Sequence, residues 1–154
     1  MDIVIGTQYY RPSNPPKSDW PRDLDRIAEA GLTMIKVWAC WGWMEANPGQ
    51  VDTGELEELL ELARQRDLSV VVNLILENAP YWLEAGNPGA RYRSTAGTVV
   101  SLGAAINTPG GGWPGLCFDN DVVWEAADGD LAVHLVRSRQ GLTDSAGRCP
   151  SAGP

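Results

Sequence analysis

The stretch that decides the fold runs from Met34 to Leu83, MIKVWACWGWMEANPGQVDTGELEELLELARQRDLSVVVNLILENAPYWL. Its first segment, Met34 to Ala39, is β-branched and aromatic with Lys36 as its one charge, the composition of a buried strand. After a Trp-rich turn, Asp52 with Glu55 three residues on has the form of a capping box, and Leu56, Leu59, Leu60, Leu62 and Ala63 make an apolar helical stripe. Glu55, Glu57, Glu58 and Glu61 are expected on the wet flank of that helix, where the dipole favours negative charge in the N-terminal half. Val70 to Leu76 is then a near-continuous apolar run, the pattern of a strand covered on both faces in a parallel sheet.

Working outward, Ile3 to Gly6 is a short run of strand type, and the polar, Pro-rich segment Arg11 to Lys17 is a loop. Pro21 suits a first helical turn, Leu24, Ile27 and Ala28 follow at helical spacing, and Gly31 closes the element. Strand starts at Ile3, Met34 and Ser69 are 31 and 35 residues apart, each gap holding one helix, which predicts parallel strands joined by right-handed crossovers. Gly86 to Gly115 shifts to Gly, Pro, Ser, Thr and Arg and is expected as a long irregular loop. Asp119 or Asn120 is placed to cap a further helix through Val122, Val123, Ala126 and Ala127. Beyond Ala127 the pattern breaks: Asp128-Gly129-Asp130 interrupts, and Arg137 to Pro154 has no period, so residues 128–154 are either a disordered tail or sequence out of frame.

Composition narrows the partners. A formal charge of −8, from 20 acids against 12 bases, argues against a nucleic-acid partner, which wants a basic face. No apolar run approaches the ~20 residues that span a bilayer, so no membrane is expected. The acidic start Met1-Asp2 is unlike a secretory signal, and the expectation is a cytoplasmic protein. Cys40, Cys117 and Cys149 are far apart, with a single His134, so neither a disulfide framework nor a metal site is expected.

In a parallel α/β barrel, chemistry sits at the C-terminal ends of the strands. There the chain places Tyr9 and Tyr10, then Trp41, Trp43 and Glu45, then Glu77 and Asn78. Aromatic planes beside carboxylates and amides suit a sugar, stacking on ring faces while reading hydroxyls. A Trp near a strand end is more often core or loop packing than a sugar platform, and Glu45 is also compatible with tying down its loop. Glu45 and Glu77 stand on neighbouring strand ends as acids, but any two acids at a barrel mouth are a weak basis for a catalytic pair.

Several ordered motifs carry a family resemblance. Gly6 to Tyr10 matches an opening Gly-x-Gln-Tyr-Tyr, Asp23-Leu24 and Ala30-Gly31-Leu32 bracket the first helix, Trp41, Glu45 and Gly49 keep a fixed spacing, and Pro80 to Leu83 reads Pro-x-Trp-Leu. Residues 3–127 resemble the N-terminal part of a glycoside hydrolase family 42 β-galactosidase. The resemblance implies an α/β fold, the first three βα units of a (β/α)8 TIM barrel, followed by the irregular tail 128–154. It implies terminal β-galactosides as substrates, a retaining two-carboxylate mechanism, no cofactor, and a parent enzyme that is a candidate homo-oligomer. The substrate-contacting candidates are Tyr10, Trp41, Glu45, Glu77 and Trp113, the last standing four residues before Cys117 where the family pattern has a galactose-contacting Arg. The acid/base Glu of the family lies in an Asn-Glu pair, and no Asn-Glu occurs in this sequence; no catalytic residue is therefore assigned here. A non-catalytic carbohydrate-binding or interaction protein built on a degenerate half barrel, and another barrel glycosidase with a different sugar, stay open as readings.

Overall fold

The computed structural model describes residues 4–10, 13–100 and 115–128. The elements are β1 (Gly6–Tyr10), a 3-10 turn (Lys17–Asp19), α1 (Trp20–Glu29), β2 (Met34–Cys40), α2 (Trp41–Met44), α3 (Gly54–Arg64), β3 (Ser69–Ile75), α4 (Tyr81–Gly86) and α5 (Asp121–Ala126). The three strands form one parallel sheet in the order β1-β2-β3. Gly6 pairs with Met34 and Met34 with Ser69, so the strands start level and their C-terminal ends share one edge.

β1 lies later in the chain than its apolar run suggests. The ladder reaches back only as far as Ile5, whose carbonyl accepts the Thr33 N–H at 2.9 Å, and the strand proper is Gly-Thr-Gln-Tyr-Tyr. Tyr9 and Tyr10, expected just past the strand, are therefore its last two residues. The register slips between Gln8 and Tyr10, leaving Tyr9 as the extra residue of a bulge. With the alternation broken, both tyrosines reach helices: Tyr9 donates its hydroxyl to Asp23 Oδ2 of α1 at 3.3 Å and Tyr10 to Glu55 Oε2 of α3 at 2.9 Å.

α1 and α3 cover one face of the sheet. Leu24 of α1, Leu56, Leu59 and Ala63 of α3, and Ile35, Val37 and Ala39 of β2 belong to a single buried cluster. Each fully buried Leu or Ile there contributes about 1.5–3 kcal/mol of burial free energy. β3 is less enclosed than its apolar sequence predicts: Val70, Val72 and Leu74 pack on the core, but Val71 is 45% exposed, because β3 pairs with β2 alone among the described residues.

The capping box of α3 takes another form. The Asp52 N–H already donates to the Met44 carbonyl at 2.8 Å, which leaves Glu55 no donor to reach back to. Asp52 Oδ1 instead accepts the Gly54 N–H at 2.9 Å, and Glu55 turns to Tyr10. At α5 the expected cap is present, Asn120 Oδ1 accepting from the N–H groups of Val122 and Val123. Two short helices go beyond the expected elements: α2 occupies the segment expected as a Trp-rich turn, and α4 a segment to which no element is assigned. The long segment after α4 keeps bridges between Arg91 and Leu116 and between Arg93 and Val99. Trp113, Gly110 to Gly112, the Leu131 to Val136 run, His134, Cys149 and the tail after Asp128 lie outside the described residues.

Candidate functional site

The shared edge of the strand ends is built largely from main chain. Gly42, the second residue of α2, donates its N–H to the Asn78 carbonyl at 2.6 Å, and a Cβ there would come within 2.9 Å of the Asn78 and Ala79 carbonyl oxygens. Gly115, with φ of +81°, lies so close to Glu77 that a Cβ would overlap the Glu77 carbonyl. The turns after β2 and β3 and the segment at residue 115 are thus in backbone contact, and only glycine admits the approach.

Glu45 is the polar centre of this rim. It is 2% exposed, its Oε2 accepts the Trp41 indole N–H at 2.7 Å, and its Oε1 accepts the Gly49 N–H at 2.9 Å. Its carbonyl accepts the Trp82 indole N–H at 3.0 Å, tying α4 to the turn after α2. Both carboxylate oxygens are thus engaged inside the protein, and Trp41 is fully buried. The Trp-x3-Glu-x3-Gly spacing of the sequence is the spacing of this clasp. Glu77 is half-buried at the end of β3, and Asn78 beside it is buried with Oδ1 lacking a hydrogen-bond partner.

Tyr10 is buried against Trp20 in an edge-to-face contact, centroids 5.2 Å apart at 78°. Burial foremost, then the hydrogen bond to Glu55, pushes its phenol above the ordinary tyrosine range; burial and then the Asp23 charge do the same for Tyr9. Of the nominated residues the structure brings Trp41 and Glu45 into direct contact and sets Glu77 on the adjoining turn. Tyr10 faces a different neighbour.

That neighbour is a cleft of about 170 Å³ lined by Tyr10, Trp38, Ala39, Cys40, Trp43, Met44, Asp52, Glu55 and Leu56. Glu55, read from sequence as part of a solvated flank, is a polar wall of it. Glu55 is exposed, as that flank implies, and stands one turn before the fully buried Leu59, which brings it to the edge of the cleft. Among the described residues no group of three or more His, Cys, Asp or Glu is placed to hold a metal ion. Cys40 is buried and Cys117 half-buried.

Against known proteins, the family model of glycoside hydrolase family 42, described as β-galactosidase, matches residues 9–108. The chain belongs to this β-galactosidase family. It is 35% identical over 81 residues to β-galactosidase BgaA of Thermus sp., covering 52% of this chain and 12% of that protein. To β-galactosidase Bga of Halorubrum lacusprofundi it is 28% identical over 122 residues, 79% of this chain and 16% of the other. The solved structure of a polyextremophilic β-galactosidase from that haloarchaeon superposes with a TM-score of 0.73 at 26% identity, over 88% of this chain and 19% of the other. This family member thus spans less than a fifth of the length of each of these relatives. Its parallel three-stranded α/β arrangement is consistent with part of a TIM barrel.

Proposed function

We propose that residues 3–127 are the first three βα units of a glycosidase barrel whose complete form hydrolyses terminal β-D-galactosides, and that residues 128–154 stand outside that unit. The level start of three parallel strands, with Trp41, Glu45 and Glu77 gathered beyond the C-terminal ends of β2 and β3, is the observation that carries this reading. In the retaining reaction one carboxyl group attacks the anomeric carbon while a second, about 5–5.5 Å away, protonates the leaving oxygen and then activates water. The clasped Glu45 has neither oxygen available for such work. Its part is positioning, holding the turns after β2 and β3 in register, while Glu77 and Trp113 are the proposed sugar-facing residues and Tyr10 and Trp41 support them. On this reading the present chain does no hydrolysis by itself.

The test is turnover of a chromogenic β-galactoside by the purified chain. The expected rate is that of the buffer blank. Activity that disappears in Glu77→Gln would overturn the assignment of no catalytic group to these residues. Saturable tryptophan-fluorescence changes with galactose, without turnover, would favour the carbohydrate-binding alternative.

A further inference from the structure

We propose that Asn78 reads the sugar, holding its side-chain Nδ2 at the rim as a donor to a galactoside hydroxyl; this deepens the glycosidase reading and rests on it. Asn78 is 7% exposed, and its Oδ1 is sealed from solvent with no hydrogen-bond donor. An acceptor buried in that state is destabilising, and folded proteins rarely keep one without a use. The main chain leaves the residue no way out. Its carbonyl takes the Gly42 N–H at 2.6 Å, and Ala79 and Pro80 after it are buried, so the amide stays within the joint between the turns after β2 and β3. Nδ2 of the same amide makes no hydrogen bond among the described residues and is not sealed. Burying Oδ1 unpaired is what it takes to fix Nδ2 in place.

The surroundings match a neutral polyhydroxyl ligand. Glu77, the residue before, is half-buried, and its carboxylate has no hydrogen bond or ion pair among the described residues, which leaves it as an acceptor. An amide donor and a carboxylate acceptor on consecutive residues suit hydroxyls, each of which both accepts and donates. An anion would meet Glu77 as a like charge, and an ammonium would bring donors to an amide that itself presents a donor. Aromatic surface stands on both joined turns: Trp43, next to Gly42, is 48% exposed, and Tyr81, the first residue of α4, is 72% exposed. Apolar sugar ring faces stack on such planes. Asn78 is thereby the counterpart of Glu45, whose two carboxylate oxygens are both engaged within the protein. Glu45 holds the frame, and Asn78 meets what the frame receives.

The test uses the full chain and methyl β-D-galactopyranoside as the probe. In proton–nitrogen correlation spectra the side-chain amide signals of Asn78, assigned by their loss in the variants, are expected to shift saturably with the galactoside. Asn78→Leu, close in size and apolar, is expected to weaken galactoside binding about fivefold or more while raising the urea midpoint by about 0.5–1 M, because the orphaned acceptor leaves together with the donor. The opposite signs are the signature, since an amide with a merely structural role would lose stability on replacement. Should Asn78→Leu fail to fold for reasons of shape, the smaller Asn78→Ala carries the same expectation for affinity, and the amide shift on the unaltered chain decides independently. Amide signals unmoved by the galactoside, an affinity unchanged in the variants, a lowered urea midpoint in Asn78→Leu, or no saturation below about 100 mM would each overturn the inference. None of these outcomes bears on the chain as part of a glycosidase barrel without its own catalytic group, which is decided by turnover of the chromogenic β-galactoside.

Discussion

Replacing Glu45 by Ala strips the buried Trp41 indole N–H and the N–H of the exposed Gly49 of their acceptor. An orphaned buried donor costs about 1–3 kcal/mol; the indole is fully enclosed while the Gly49 amide can turn to water, so the expected loss is about 1–3 kcal/mol. Glu45→Gln keeps one acceptor oxygen but points an amide N–H at one of the two donors, for a loss of about 1–3 kcal/mol. Urea unfolding followed by tryptophan fluorescence reads this directly. With a slope near 1.5 kcal/mol per molar, a loss of about 3 kcal/mol lowers the midpoint by about 2 M. Trp41→Phe removes the matching donor, so the double variant Trp41→Phe/Glu45→Ala should lose about 1 kcal/mol or more less than the sum of the single variants. A Glu45→Ala midpoint within about 0.3 M of the parent, or strict additivity in the double variant, refutes the clasp as a stabilising element.

Gly115→Ala forces a Cβ onto the Glu77 carbonyl at a positive φ, and should lower the thermal midpoint clearly more than Gly86→Ala, where a Cβ meets nothing within 4 Å. Leu59→Ala opens a cavity at a fully buried site and is expected to cost about 2–5 kcal/mol by denaturant unfolding. Asn120→Ala removes the cap of α5 and should cost about 0.5–2 kcal/mol, with faster amide exchange confined to residues 121–126. The phenols of Tyr9 and Tyr10 are held protonated above the ordinary tyrosine range by burial and by their carboxylate partners. Because the folded value is the higher one, their contribution is full below the unfolded tyrosine pKa of about 10 and fades as pH rises towards the folded one. Alkaline titration at 295 nm should show both ionising only with unfolding, and Tyr10→Phe should remove one of those steps.

The layout was legible because two periodicities disagree sharply: the continuous apolar runs of β2 and β3 against the four-residue spacing of α1 and α3. The position of β1 was not, since Thr7 to Tyr10 alternate too weakly to compete with the apolar Ile3-Val4-Ile5 run, and the bulge at Tyr9 exists only through pairing with β2. α2 and α4 escaped for a different reason. At four and six residues they carry too little period to register, and their stability comes from contacts such as Trp82 to the Glu45 carbonyl. At the site, Trp41 and Glu45 were recognisable by spacing, but whether their polar atoms face substrate or one another is a matter of χ angles and neighbours. The structure has them face one another.

The backbone joints at Gly42 and Gly115 bear on how such a rim can change over time. Where two turns are welded through side chains, each replacement risks shifting the frame. Here carbonyls and amides set the spacing, so outward-facing positions such as Trp43 and Tyr81 can be exchanged while the turns keep their places. A scaffold of that kind separates the inheritance of shape from the inheritance of recognition, and leaves the second free to drift.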